Sequence, residues 1–126
     1  MKRSFLVLAC LLAAGHAAAG WSMLQETRDG ILYVDREAAE RTARGWTVDS
    51  SQDFHKIQLH EGKEYLSART RYELDCSAKQ LRRLRVEIYP ENMAGGGTLH
   101  VDDNAQDWRA PGPGSREEAI WKSLCP

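Results

Sequence analysis

One stretch of this chain, residues 64–76, alternates between mainly apolar and mainly polar side chains over its whole length. A period of two is typical of a β-strand whose two faces meet different surroundings. A strand of this kind fits an antiparallel sheet that buries one face and leaves the other in water. The apolar face carries Leu66, Ala68, Thr70, Tyr72, Leu74 and Cys76, and the polar face carries Tyr65, Ser67, Arg69, Arg71, Glu73 and Asp75.

The next stretch, residues 80–89, alternates in the same way and stops before Pro90, a residue that ends a strand or places it at a sheet edge. If the two stretches form a hairpin around Ala78, a register that pairs Tyr72 with Leu84 keeps the apolar residues together. A slip of one residue would set Tyr72 against a charged neighbour, so burial specifies the register. The same register predicts the pairs Thr70–Val86, Ala68–Ile88, Glu73–Arg83 and Arg69–Glu87.

The polar face of this hairpin is where a binding surface of the sheet would lie. The predicted register sets Arg71 opposite Arg85, and like charges directly opposite each other are mildly unfavourable. This unneutralised pair is therefore our candidate for a cationic spot that faces a binding partner. The alternative is a solvated strand face that has no partner.

Four further short runs have the composition of strands, and one segment between them fits two structures. Residues 36–44 follow Asp35, a residue suited to cap a helix, and precede Gly45. They fit either one or two helical turns or a long polar turn. The additional strands are predicted at residues 31–34, 45–48, 54–60 and 98–101, which gives about six strands with the hairpin.

A loop rich in Pro and Gly leads into the pattern of one short helix. Ser115 and Glu118 have the spacing of a capping box. We expect Trp121 to lie between this helix and the sheet and to anchor the helix. An antiparallel sheet followed by one helix on a single face predicts an α+β domain. The apolar face of the helix carries Ile120, Trp121, Leu124 and Cys125.

Residues 1–19 have the three-part layout of a secretory signal peptide: a basic start, an apolar run and small residues before the cleavage site. We expect cleavage after Ala19, which leaves a single domain, residues 20–126. The apolar run is too short to span a bilayer, which takes about 20 residues. Cys10 lies in only a loose match to a lipoprotein site, so we expect no lipidation. The protein is then periplasmic, at the cell surface or secreted.

Removal of the signal peptide leaves two cysteines, Cys76 and Cys125. In an oxidising compartment two well-separated cysteines most simply form a disulfide. Cys76 is in phase with the buried face of its strand and Cys125 lies on the apolar face of the helix, so the bond would tie helix to sheet. The enclosed loop of about 50 residues corresponds to on the order of 4 kcal/mol in the chain-entropy description. The alternative is two free thiols.

The residue types predict neither catalysis nor a cofactor. Without the signal peptide, Lys and Arg number 15 (17 − 2) against 18 Asp and Glu, a net charge of −3, which is not the balance of a nucleic-acid binder. His55 and His60 are five residues apart on one strand, so they point to opposite faces and cannot share a metal ion unless a bulge intervenes. His100 beside Asp102 is a weak metal signal, and no nucleophile-bearing turn is present. We therefore expect that the protein is not an enzyme and that it binds neither a metal ion nor a cofactor.

Several short motifs accompany these patterns across the mature chain. The most specific are Asp75-Cys76 in the long strand and Pro113-Gly114-Ser115 ahead of Trp121 and Cys125. Together they resemble the surface-adhesin protein E domain, found in small exported proteins of Gram-negative bacteria. The supporting features are the signal peptide, a Trp near the mature start, Leu66-Ser67, Tyr89 and Trp108.

The resemblance implies a six-stranded antiparallel sheet whose concave face holds a C-terminal helix through the disulfide. For the founding members it implies a non-catalytic surface protein that binds host extracellular-matrix and plasma proteins and can form a homodimer. The alternative function is a soluble periplasmic accessory or structural protein that has no host ligand.

Overall fold

The computed structural model describes residues 20–126, in which one antiparallel sheet carries one helix. The predicted signal peptide lies outside these residues. The elements are β1 Trp21–Thr27, β2 Gly30–Asp35, β3 Glu40–Arg41, β4 Gly45–His60, β5 Lys63–Asp75, β6 Gln80–Tyr89, a 3-10 turn Asn92–Ala94, β7 His100–Asp102 and α1 Arg116–Leu124. Six strands follow the order β1-β2-β4-β5-β6-β7, and β3 pairs with β4 beside this path. The predicted α+β architecture is confirmed.

The long hairpin of β4 and β5 forms the centre of the sheet. The two strands predicted at residues 45–48 and 54–60 are one continuous strand of 16 residues, β4. The turn to β5 places Glu61 and Gly62 at positive φ, 49° and 77°, as a tight hairpin turn requires. Between Asp53 and Gln58 the pairing slips, so that four residues of β4 stand against one of β5. Such a bulge bends a strand, and the end of this hairpin departs from the plane of the sheet.

The β5–β6 register agrees with the prediction over half its length and is wrong over the other half. Arg71 stands opposite Arg85, and the pairs Thr70–Val86, Ala68–Ile88 and Arg69–Glu87 are confirmed. Beyond Arg71 the register shifts by one: Tyr72 stands opposite Arg83 rather than Leu84. Glu73 stands opposite Arg82 rather than Arg83. The four-residue connection after Asp75 sets the shifted register near the hairpin turn. A bulge at Leu84 then returns the strands to the predicted register.

The segment between β2 and β4 contains no helix, so the polar-turn alternative was the correct one. The Asp35 carboxylate accepts the backbone N–H of Ala38 at 3.1 Å, which makes a side-chain turn instead of a helix start. The chain then adds the two-residue strand β3. Residues 21–27, which had no strand pattern, form the edge strand β1. β7 begins two residues later than predicted.

The core lies between α1 and the sheet face that we call the helix face, defined by Val34, Val48, Tyr72 and Leu74. Ser115 caps α1, and its hydroxyl accepts the N–H of Glu118 at 3.1 Å. The Glu118 carboxylate accepts the N–H of Gly114 at 3.4 Å, one residue before the position that a full capping box uses. The buried core consists of Leu32, Val34, Val48, Tyr72, Leu74, Leu81, Ile120, Trp121 and Cys125.

Candidate functional site

The predicted disulfide between Cys76 and Cys125 is present and ties α1 to the end of β5. Their Cα atoms are 5.3 Å apart, and the bond encloses a sequence separation of 49 residues. Cys125 is buried, with 1% of its surface exposed. The close approach needs space at Gly45 on β4, where a Cβ atom would lie 2.4 Å from the Leu74 carbonyl oxygen and 3.0 Å from the Cys76 sulfur. The alternative of two free thiols is excluded.

Trp121 lies between α1 and the helix face, as the spacing predicts. It is buried, and its indole Nε1–H donates to the backbone carbonyl of Asp75 at 3.3 Å. This bond satisfies the one polar group that a buried tryptophan brings with it. Trp121 and the disulfide therefore hold the helix at the same end of β5. How much Trp121 contributes to stability stays a prediction.

The opposite side of the sheet, which we call the open face, is defined by Asp49, Arg69, Arg71, Arg85 and Glu87. These side chains surround a shallow pocket of about 320 Å³. The prediction that the charge of Arg71 is not neutralised is wrong. Its Nε and Nη2 donate to the two carboxylate oxygens of Asp49 at 2.9 and 3.2 Å. The Asp49 carboxylate raises the pKa of Arg71 through this bond and its charge.

Arg85 also has a carboxylate partner, Glu87, two residues further along β6. Its Nε donates to Glu87 Oε1 at 3.0 Å, and Nη2 contacts the same oxygen. The Tyr89 hydroxyl donates to the other oxygen of Glu87. The Tyr89 hydrogen bond and then Arg85 hold the pKa of Glu87 below its usual value. The register predicted the position of Arg85, but the partners of Glu87 are Arg85 and Tyr89 rather than Arg69.

Tryptophans meet arginines on the open face, a feature that the sequence patterns did not identify. The guanidinium of Arg69 lies over the ring of Trp21, 5.5 Å from its centroid. Trp108 is stacked by both Arg44 and Arg82, at 5.2 and 4.8 Å. Such cation–π contacts join residues far apart in sequence. Composition alone gives no signal for them, because the partners come from separate strands and loops of the chain.

The structure brings His60 and His100 together, a contact that the sequence did not predict. His55 is exposed within the β4 bulge. The His60 ring stacks on His100 with centroids 4.6 Å apart, although β5 and β6 lie between their strands in the sheet. Residues 20–126 contain no group of three or more His, Cys, Asp or Glu side chains arranged to hold a metal ion. None of the helical segments in this part of the chain has the length and apolar character that a bilayer crossing requires.

Comparison with known proteins gives the same architecture. The sequence profile of surface-adhesin protein E matches residues 21–126. The chain belongs to the surface-adhesin protein E family. No curated protein sequence is significantly similar to it.

Among solved structures, the fold of this family member is similar to those of Haemophilus influenzae protein E. One structure has a TM-score of 0.63 at 18% identity and covers 85% of this chain and 84% of the other. A second crystal form has a TM-score of 0.66 at 16% identity, with coverage of 85% and 87%. A structure of protein E from non-typeable H. influenzae has a TM-score of 0.62 at 17% identity, with coverage of 85% and 76%. At these identities the likeness establishes the fold.

Proposed function

We propose that this protein is an exported, non-catalytic binding protein that recognises extracellular host proteins through the open face. Membership of the surface-adhesin protein E family supports an adhesin-like surface protein. The observation that carries the site is the arginine cluster: Arg69, Arg71 and Arg85 surround the pocket of about 320 Å³. Arginine is enriched where protein interfaces hold most of their binding energy.

The charges of this cluster favour an acidic segment of the partner. Three guanidinium groups face two carboxylates, Asp49 and Glu87, which leaves one excess positive charge (3 − 2). Arg71 and Arg85 each engage a single carboxylate, so guanidinium N–H groups stay available on the exposed side. A carboxylate from a partner could bind them in the paired geometry that arginine favours. The paired carboxylates limit non-specific binding of anions, since any anion must compete with them.

Exposure on intact cells is the first test, because an adhesin must be reachable from outside. Whole cells are treated with protease, and the protein is followed by immunoblot beside a periplasmic marker protein. We expect loss of the protein while the marker survives. Complete protection would contradict the adhesin function and favour a soluble periplasmic accessory protein that has no host ligand.

The second test concerns the arginine cluster itself. Protein purified from the periplasm is passed over immobilised plasma proteins and basement-membrane extract. We expect binding that falls at least tenfold in the Arg71→Glu/Arg85→Glu variant. The matched control is Arg28→Glu/Arg36→Glu, which makes the same charge change at two exposed positions outside the cluster.

The control separates a site from a general charge effect. Equal losses in both double variants would show that net charge, rather than the open face, governs binding. Full binding by a correctly folded Arg71→Glu/Arg85→Glu variant would remove these residues from the site. Circular dichroism of each variant checks that the fold is retained.

A further inference from the structure

The helix face has a second region, which α1 leaves uncovered. A cleft of about 230 Å³ lies there, between the first turn of α1 and the end of the β4–β5 hairpin. The hairpin forms its far wall, because the bulge in β4 folds this end over the sheet. The contact of His60 with His100, 4.6 Å between ring centroids, joins the hairpin end to β7 and closes that side. We call this region the basic cleft. It is separate from the open face and does not rest on the proposed function.

The floor and one wall of the basic cleft carry apolar side chains. Val86 and Ile88 of β6 form part of the floor. Phe54 and Tyr65 form the wall and meet edge to face, with ring centroids 5.7 Å apart. Because the two rings already hold each other in place, a planar apolar group can pack against them with little further loss of side-chain entropy.

The charged side chains of the basic cleft are out of balance. Arg83 forms an ion pair with Asp102, at 3.2 Å. Arg109 and Arg116 share a single carboxylate, Glu117, at 3.7 and 3.2 Å. With neutral histidines the lining therefore holds three positive charges and two negative ones. This imbalance favours an anionic ligand.

Two nitrogen atoms of the cleft also lack hydrogen-bond partners. Within residues 20–126, Arg83 Nε and His60 Nε2 are the buried side-chain nitrogens that bond to no other protein atom, and both residues line this cleft. Buried polar groups are nearly always hydrogen-bonded, so each unpaired group calls for a specific explanation. The guanidinium of Arg83 donates only through Nη2, to Asp102. An acceptor brought by a ligand would complete its hydrogen bonding with a small side-chain adjustment.

The hydroxyl of Tyr72 faces the cleft near two of its cations, Arg116 and Arg83. Tyr72 stands opposite Arg83 in the β5–β6 ladder. Burial raises its pKa and Glu117 adds to the rise, whereas Arg116 and Arg83 act in the opposite direction. Arg116 is fixed from the other side, since its Nη1 donates to Gln52 Oε1 at 2.7 Å. Arg83, Arg116 and Tyr72 therefore line the same part of the cleft.

We propose that the basic cleft binds a small carboxylate that carries a flat apolar group. The carboxylate lies between Arg83 and Arg116, and the flat group lies against Val86, Ile88 and the Phe54–Tyr65 wall. Planar guanidinium groups match a carboxylate in two parallel hydrogen bonds. The volume suits a single ring rather than a larger molecule.

Sodium benzoate is the probe that tests the proposal. The ¹⁵N-labelled, disulfide-bonded protein is titrated at constant ionic strength and followed by NMR. We expect saturable shifts at the amides of β6, β7 and the first turn of α1, with millimolar or tighter affinity. Benzyl alcohol and inorganic phosphate are the comparison probes, because one lacks the carboxylate and the other lacks the ring. Both should bind at least tenfold more weakly.

Variants then locate the site. Arg83→Gln and Arg116→Gln should each raise the Kd for benzoate about tenfold. Arg82→Gln is the matched control on the same strand, since Arg82 pairs with Glu73 and stacks on Trp108 on the open face, and it should leave the Kd unchanged. Arg116→Gln keeps the Arg83–Asp102 pair and serves if Arg83→Gln fails to fold. The proposal is overturned by no saturable binding, by equal binding of phosphate or benzyl alcohol, or by an unchanged Kd in the folded arginine variants.

Discussion

The helix face and the open face both carry large aromatic side chains, but in different surroundings. On the helix face, Trp121 lies with Ile120 and Leu74 in a core that excludes water. On the open face, Trp21 and Trp108 lie beneath guanidinium groups at the surface. The first arrangement gains its stability from apolar area removed from water, and the second keeps charged groups accessible. Substitutions in the core of the helix face should therefore change stability, whereas those on the open face should mainly change recognition.

The largest expected effect is at Trp121. Trp121→Ala removes a buried indole and leaves a cavity between α1 and the sheet, which costs about 3–5 kcal/mol. The same change at Trp108, a half-buried residue held by two arginines, should cost roughly 1–2 kcal/mol. Urea unfolding measures both. Equal midpoints for Trp121→Ala and the parent would contradict the difference between the faces.

Loss of the disulfide should come next. The double variant Cys76→Ser/Cys125→Ser loses the cross-link that closes the 49-residue separation, and we expect a decrease of about 2–5 kcal/mol in the free energy of unfolding. The parent protein unfolded in the presence of reductant is the control and should show a similar midpoint. A stability unaffected by both changes would mean that packing alone holds α1.

Low pH should reduce the stability of the protein in part through protonation of Glu87 on the open face. Its lowered pKa means that the charged form is favoured by folding, so this contribution is present above the unfolded value of about 4.3 and is lost as the pH falls through the lower folded value. Glu87→Gln should therefore reduce the loss of stability between pH 5 and pH 3, by no more than about 1 kcal/mol. Urea midpoints across this range are the measurement, with Glu26→Gln as the exposed control. An identical pH profile in Glu87→Gln and the parent would contradict the assignment.

The smallest effect on stability is expected for the arginine pair. Arg71→Gln/Arg85→Gln removes exposed ion pairs, which are worth less than about 1 kcal/mol each. The urea midpoint should stay close to that of the parent, while binding to the immobilised plasma and matrix proteins decreases. A large loss of stability here would show that the open face is part of the structural support of the sheet.

The parts of the fold that could be predicted from the sequence are those set by a local alternation of apolar and polar side chains and by the disulfide. The alternation in residues 64–76 and 80–89 predicts β5 and β6, and the position of Cys76 on the buried side predicts the disulfide. The register failed at one point for a reason that the sequence contains. Leu81 is out of phase with Leu84, Val86 and Ile88, and such a break in an alternating pattern is the mark of a bulge.

The contacts around the two candidate sites depend on tertiary structure and could not be predicted in this way. The ion pair of Arg71 with Asp49 needs the pairing of β4 with β5. The meeting of His60 with His100 needs the hairpin to fold over two strands, which follows from four residues opposing one in the bulge. The first contact depends on which strands pair and the second on how the hairpin bends, and local composition carries little signal for either.

The two edges of the sheet are protected to different degrees, which limits how copies could assemble. On the far side of β6, the three residues of β7 are followed by a strap in which Gln106 N–H donates to Arg83 O at 2.9 Å and Arg109 N–H to Leu81 O at 3.0 Å. At the other edge, β1 is seven residues long, and nothing in residues 20–126 pairs with its outer side. A short edge strand is a poor template for pairing with another chain, whereas a long unpaired edge strand can pair with a strand of another chain. Two copies joined through β1 would use up both long edges, so growth would stop at a closed pair instead of continuing into a fibre.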